Sequence, residues 1–155
     1  LDQALDDFRP VWRDVHDIFT DMLKVHFRTE GAYAGVKWVP LNPRYAAWKQ
    51  RQVGNKPMLR FSDRLYHSLI QKRHEDHIAR MERRWAEFGT RVPYARHHHF
   101  GARRGAPRFK KTLGPAAGLP KRIVIPEPTR EEGERIADAV LANIIKRMRT
   151  TRRRP

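Results

Sequence analysis

The sequence predicts an α+β domain: a small, mostly antiparallel sheet flanked by a long N-terminal helix, a short middle helix and a long C-terminal helix. Three observations predict it. Apolar residues recur at steps of three and four from Leu5 to Phe27 and again from Ile136 to Met148, the period of a helix with one buried face. Between these stretches lie short, strand-length runs at 76–90 and 122–125. The 155 residues make one ordinary domain, and its four Trp, seven Phe and four Tyr are enough large apolar groups to fill a core without disulfides.

The first helix carries Leu5, Phe8, Trp12, Val15, Phe19, Met22, Leu23, His26 and Phe27 along one stripe. Pro10 predicts that it starts or kinks near Phe8–Val11, because proline removes a backbone donor. Gly31 and Gly35 break the chain. Residues 36–61 are turn-rich, with room for a short helix at Pro43–Gln52, since proline suits a first helical turn. Ser62 or Asp63 caps a second helix whose stripe is Leu65, Leu69 and Ile70. Residues 76–90 read as a hairpin, His77–Met81 against Arg84–Gly89 with Glu82 and Arg83 near the turn. A helix through the same residues is the competing reading, because Arg and Glu are poor strand formers.

Pro93–His99 suits a short helix ending at Gly101. Residues 102–120 form a basic Gly/Pro-rich loop without apolar period, and a loop of that length is expected to be functional or disordered. Arg122–Ile125 is strand-like. Thr129 and Glu132 form a T-x-x-E capping box ahead of the last helix. Its apolar face is Ile136, Val140, Asn143, Ile144 and Met148, with Leu141 and Ile145 beside it. Residues 149–155 are a basic tail, and the whole of 1–155 reads as a single domain.

Charge is the strongest bulk property. Thirty-three Lys and Arg face seventeen Asp and Glu, a formal net charge of +16. Such a field attracts polyanions, nucleic acid first among them. The excess is concentrated. Residues 91–122 hold nine bases, three His and no acid, whereas residues 1–31 hold seven acids against four bases. The absence of Cys excludes thiolate catalysis, Fe–S clusters and Cys-type zinc sites. No apolar run approaches the ~20 residues of a membrane span, and Asp2, Asp6, Asp7 and Asp14 replace the basic-then-apolar pattern of a signal peptide. A soluble protein with no membrane association is expected.

No catalytic constellation stands out. His97, His98 and His99 are adjacent, and three adjacent residues cannot all face one point on a helix or strand. His74-Glu75-Asp76-His77 lacks the H-E-x-x-H spacing of a zinc hydrolase. G-x-S-x-G, Walker and G-x-G-x-x-G motifs are absent. The expectation is a non-enzyme without cofactor or metal; a toxin or nuclease would need an active site that is not recognisable here.

Three segments, in order, carry a resemblance. Phe27-Arg28-Thr29-Glu30-Gly31 followed by Trp38-Val39-Pro40-Leu41-Asn42-Pro43-Arg44-Tyr45 is one. Pro57-Met58-Leu59-Arg60-Phe61-Ser62-Asp63-Arg64-Leu65, then Ser68 and Leu69, is the second. Phe88-Gly89-Thr90-Arg91-Val92-Pro93-Tyr94-Ala95, then His98 or His99, Phe100 and Gly101, is the third. Over roughly residues 20–150 the chain resembles the phage virion morphogenesis family, the Mu-type tail completion proteins. Two departures stand out. Asp63 stands where the family usually has Gly, which bears on the turn before the second helix. Pro120-Lys121-Arg122-Ile123-Val124-Ile125-Pro126 lacks the family's Phe, which bears on how that strand docks.

Trp38, Pro40, Leu41, Tyr45, Leu59, Leu65, Tyr94 and Gly101 are the motif positions expected to act as scaffold. Trp48 joins them as an anchor of the turn-rich segment, and Phe100 with Tyr94 as a pin at the loop's entrance. The resemblance implies a structural protein of a tailed bacteriophage virion: a tail completion or neck component at the head–tail interface, made in the host cytoplasm. Its implied partners are other copies of itself in a ring, six being the expected number, the head connector or stopper, tail terminator or tube proteins, and the DNA passing through. Arg103, Arg104, Arg108, Lys110 and Lys111 are the candidate contacts to DNA or an acidic partner. The alternative is a basic nucleic-acid-binding protein of ribonucleoprotein type, without catalytic activity.

Overall fold

The computed structural model describes residues 7–35, 37–102 and 119–151, with residues 150 and 151 as backbone only. The described chain holds five α-helices and a two-stranded antiparallel sheet, with long helices first and last. The α+β expectation is met.

Helix α1 is Arg9–Arg28, with Pro10 in its first turn. The proline therefore starts the helix instead of kinking it, because the N–H it lacks would have no intrahelical partner there. The buried face matches the expected stripe at Met22, Leu23, His26 and Phe27. Toward the helix head it is turned to Val11, His16, Ile18 and Thr20, with Phe8, Trp12, Val15 and Phe19 half-buried. Leu5 lies outside the described residues. The head of α1 is tied to the hairpin turn. Phe8 N donates to the Arg83 carbonyl and the Trp12 indole to the Glu82 carbonyl, both at 2.8 Å. After α1 the chain reverses through Gly31 (φ 88°), a single 3-10 turn and Gly35 (φ 69°), left-handed positions that glycine takes without strain.

Helix α2 is Pro43–Val53, capped by the Asn42 side chain, which accepts from Arg44 N at 3.0 Å. Helix α3 is Arg64–Ile70. Asp63, the departure from the family's glycine, itself adopts φ 61°, so the turn is kept despite the substitution. A side chain in that region costs ~1–2 kcal/mol. Here the carboxylate is held by Arg60 Nε and Lys56 Nζ, each at 2.6 Å, and these cations keep its pKa below the usual value against the opposing effect of burial. Asp63 therefore does not cap α3. Ser62 Oγ accepts weakly from Arg64 N at 3.4 Å.

The hairpin reading holds over the helical one. Strand β1 is His77–Met81 and β2 is Ala86–Thr90, so the second strand begins two residues later than expected and ends one later. The register explains how poor strand formers are tolerated: Arg80 lies opposite Glu87, and the pair closes an ion pair at 3.2 Å on the exposed face. Arg122–Ile125, by contrast, is not a strand. Its backbone is engaged elsewhere: Arg122 N donates to the His98 carbonyl, the Ile123 carbonyl accepts from Trp38 and His26, and Val124 N donates to His99 Nδ1.

Helix α4 is Ala95–Phe100 and α5 is Arg130–Thr151. Half of the capping box forms: Thr129 N donates to Glu132 Oε2 at 2.9 Å, and the Thr129 hydroxyl meets the same buried carboxylate. Helix α5 lies against α1. Ile136, Val140, Asn143 and Ile144 are half-buried, but Met148, expected on that face, is exposed together with Leu141 and Ile145. The core draws on each part of the chain: Met22, Leu23 and Phe27 of α1, then Trp38, Met58, Leu65, Leu69, Val92 and Val124. No helix among the described residues is long and apolar enough to cross a membrane.

Candidate functional site

The five candidate contact bases, Arg103, Arg104, Arg108, Lys110 and Lys111, lie outside the described residues, as do the terminal Arg152–Pro155. The chain on either side of 103–118 is described, and it is unusually well tied. Ala102 and Leu119 form an isolated antiparallel bridge, each N–H donating to the other's carbonyl at 2.9 Å. The N-terminal side is Tyr94 and α4, ended by Gly101 at φ 76° and ψ 172°, a combination essentially restricted to glycine. A Cβ on Gly101 would lie 3.0 Å from the Leu119 carbonyl oxygen and 3.1 Å from Lys121 N. The family's glycine is thus needed twice, for backbone conformation and for the close approach of the returning chain.

On the C-terminal side, Arg122 N donates to the His98 carbonyl at 2.7 Å. The Arg122 guanidinium is buried and donates to the carbonyls of Val39 at 2.8 Å and Pro40 at 3.3 Å. The Ile123 carbonyl accepts two hydrogen bonds, from the Trp38 indole and from His26 Nε2, both at 2.8 Å. Trp38 stacks edge-on against both Phe27 and His26, with centroids 5.2 and 5.3 Å away. His99 Nδ1 accepts from Val124 N at 3.3 Å.

The scaffold residues named by the sequence fall around this junction. Trp38 and Leu65 are buried, while Leu41, Leu59 and Tyr94 pack partly buried against the core. Pro40 lends its carbonyl to Arg122, and half-buried Tyr45 lies near that guanidinium, its pKa raised by burial against the opposing pull of Arg122. One expectation fails: Phe100 is 73% exposed and does not pin the segment's entrance. Trp48, though 37% exposed, stacks on Phe61 and packs against Tyr45, so it ties α2 to the end of the turn-rich segment. The sequence reading missed Arg122 and His26. In the sequence Arg122 stands in a basic run and His26 in an apolar stripe, so nothing local distinguishes either from its neighbours.

The histidines do not converge. His97 lies beside Arg96, His98 packs edge-on against Tyr94 with its Nδ1 buried and without a hydrogen-bond partner among the described residues, and His99 bonds the backbone at Val124. Of the 74–77 group, His77 Nδ1 donates to the Ser68 carbonyl at 2.7 Å and its Nε2 lies 2.9 Å from His16 Nε2. Asp76 is taken by Arg64, at 2.6 and 3.1 Å. Among the described residues no three His, Asp or Glu are placed to hold a metal ion. Burial lowers the pKa of His16, His26 and His99, and pushes that of His98 down to about 4.

The chain matches the profile of the phage virion morphogenesis family over residues 1–144. It therefore belongs to that family, and its role is in bacteriophage virion morphogenesis. A comparison with curated proteins finds no match, and neither does one with solved structures.

Two predictions follow from this geometry. Gly101→Ala should destabilise the protein by about 2 kcal/mol or more, through the glycine-only backbone and the 3.0 Å contact, and denaturant unfolding checks it. The second concerns pH. The unfolded chain binds protons to these histidines below about 6.5, while the folded one resists until near 4 at His98. The unfolded state then holds more protons, so stability should fall as pH drops from about 6.5 toward 4. His98→Leu should flatten the slope of melting temperature against pH in that window.

Proposed function

We propose that the protein completes the tail at the neck of the virion, joining head to tail as a ring of identical copies around the DNA path. The observation that carries this is the tied base of the basic segment. A stretch holding Arg103, Arg104, Arg108, Lys110 and Lys111 is joined to the rigid core through the Ala102–Leu119 bridge, Gly101 and buried Arg122. A merely solvated basic tail needs no such base. A ring gives each copy's basic segment the same address, which suits contact with DNA phosphate or with an acidic ring of a connector, stopper, terminator or tube protein. Six copies is the number the family resemblance implies.

At +16 the copies repel one another. Free protein should therefore be monomeric at low salt and assemble when salt or a partner screens the charge. The role of the basic segment is tested in phage particles. Replacing all five segment bases with Gln should sharply reduce head–tail joining or DNA retention, scored by infectious titre and by electron microscopy of unjoined heads and tails. Deleting Arg152–Pro155 should have much less effect, because chain ends are rarely anchored. A truncation more damaging than the five replacements would move the functional patch to the C-terminus.

A further inference from the structure

Among the described residues several large apolar side chains stay exposed outside the core, and two groups of them form surfaces. The first is an aromatic plate. Trp48 of α2 and Phe61 lie face to face, centroids 5.5 Å apart and planes within 9°, and are 37% and 40% exposed. Arg44 and Arg51, four residues before and three after Trp48, share its side of α2. Neither makes an ion pair among the described residues. The second surface is the outer stripe of α5. Leu141, Ile145 and Met148 are 55%, 40% and 54% exposed at steps of four and three. Continuing the same spacing toward the head of the helix are Glu134, which is exposed and paired with Arg130 at 2.8 Å, and Asp138, which is exposed and has no ion pair among the described residues.

We infer that the α5 stripe of one copy docks on the Trp48–Phe61 plate of the next. This rests on reading the chain as an assembling neck protein. The charge pattern selects a second copy as the occupant. A chain at +16 can approach its own kind only where local charge is opposite, and the acidic head of the stripe against the arginine-flanked plate supplies that. Two different patches on one chain make a head-to-tail contact, the kind that can close into a ring. The apolar parts supply the contact area, and Asp138 against Arg44 and Arg51 sets its direction.

The chain has no Cys, so cysteine cross-linking reads the contact directly. Gln52→Cys places a thiol beside the plate and Ala137→Cys places one beside the stripe. Oxidation is run above physiological salt, where the Debye length is below about 8 Å. An equimolar mixture of the two variants should form covalent dimers several-fold faster than either alone, and a chain with both substitutions should give a ladder of higher oligomers. Adding Leu141→Asp and Ile145→Asp to the stripe variant should abolish the cross-link with an unchanged helical circular dichroism spectrum. Self-cross-linking of either variant as fast as the mixture, or no cross-link at any salt, overturns the inference. So does a Trp48→Ala chain that cross-links as fast as its parent but loses affinity for a single-stranded oligonucleotide, which would assign the plate to nucleic acid. The cross-link reports contact between copies in solution. A phage that joins heads to tails without this protein would refute the neck role and leave the cross-link result standing.

Discussion

The carbonyl oxygen of Ile123 is the point on which the structure turns. Two buried donors, Trp38 Nε1 and His26 Nε2, meet it at 2.8 Å each. They come from the first motif segment and from α1, and the acceptor comes from the chain returning after the basic segment. One peptide group thus joins the returning chain to two residues 97 and 85 positions earlier. Each neutral hydrogen bond contributes only about 1 kcal/mol net, but leaving one of these buried donors unpaired would cost about 1–3 kcal/mol. The arrangement therefore acts more as a specification than as a reservoir of stability. It tells the returning chain where to lie. Arg122 repeats the logic one residue earlier by satisfying the carbonyls of Val39 and Pro40.

The long helices and the hairpin were legible in the sequence because each is specified locally. The stripe from Phe8 to Phe27 has a period, Pro10 marks its start, and the Thr129–Glu132 pair marks the head of α5. The junction was not legible, because its partners are separated by 85 to 97 residues and interact through main-chain groups that no side-chain pattern reveals. The same reason undid Arg122–Ile125. Its β-branched composition fits a strand, but its backbone groups are already used by Trp38, His26 and His99. Asp63 shows the converse. A residue that should disturb a glycine turn adopts the glycine conformation, because Lys56 and Arg60 hold its carboxylate.

Positive charge, so prominent in the composition, divides into two kinds in the structure. Lys49 and Arg122 are buried and serve backbone carbonyls: Lys49 Nζ donates to those of Lys56 and Pro57, and burial lowers the pKa of both cations. They belong to the frame and not to a polyanion site. The aromatic residues divide similarly. Trp38 is internal and fixes the junction, while Trp48 lies at the surface, stacked on Phe61. Composition alone treats each pair as equivalent, and only the fold separates scaffold from surface.

The central claim is that the Trp38–His26–Ile123 junction holds the base of the basic segment in place. Amide hydrogen exchange of a Trp38→Phe variant tests it most directly, because Phe retains an aromatic ring and deletes the indole N–H. The account predicts faster exchange at the amides of Ala102, Leu119 and Arg122, all hydrogen-bonded at the base, with protection in the His77–Thr90 hairpin unchanged. Unaltered exchange at those three amides, or an equal loss of protection in the hairpin, would contradict it.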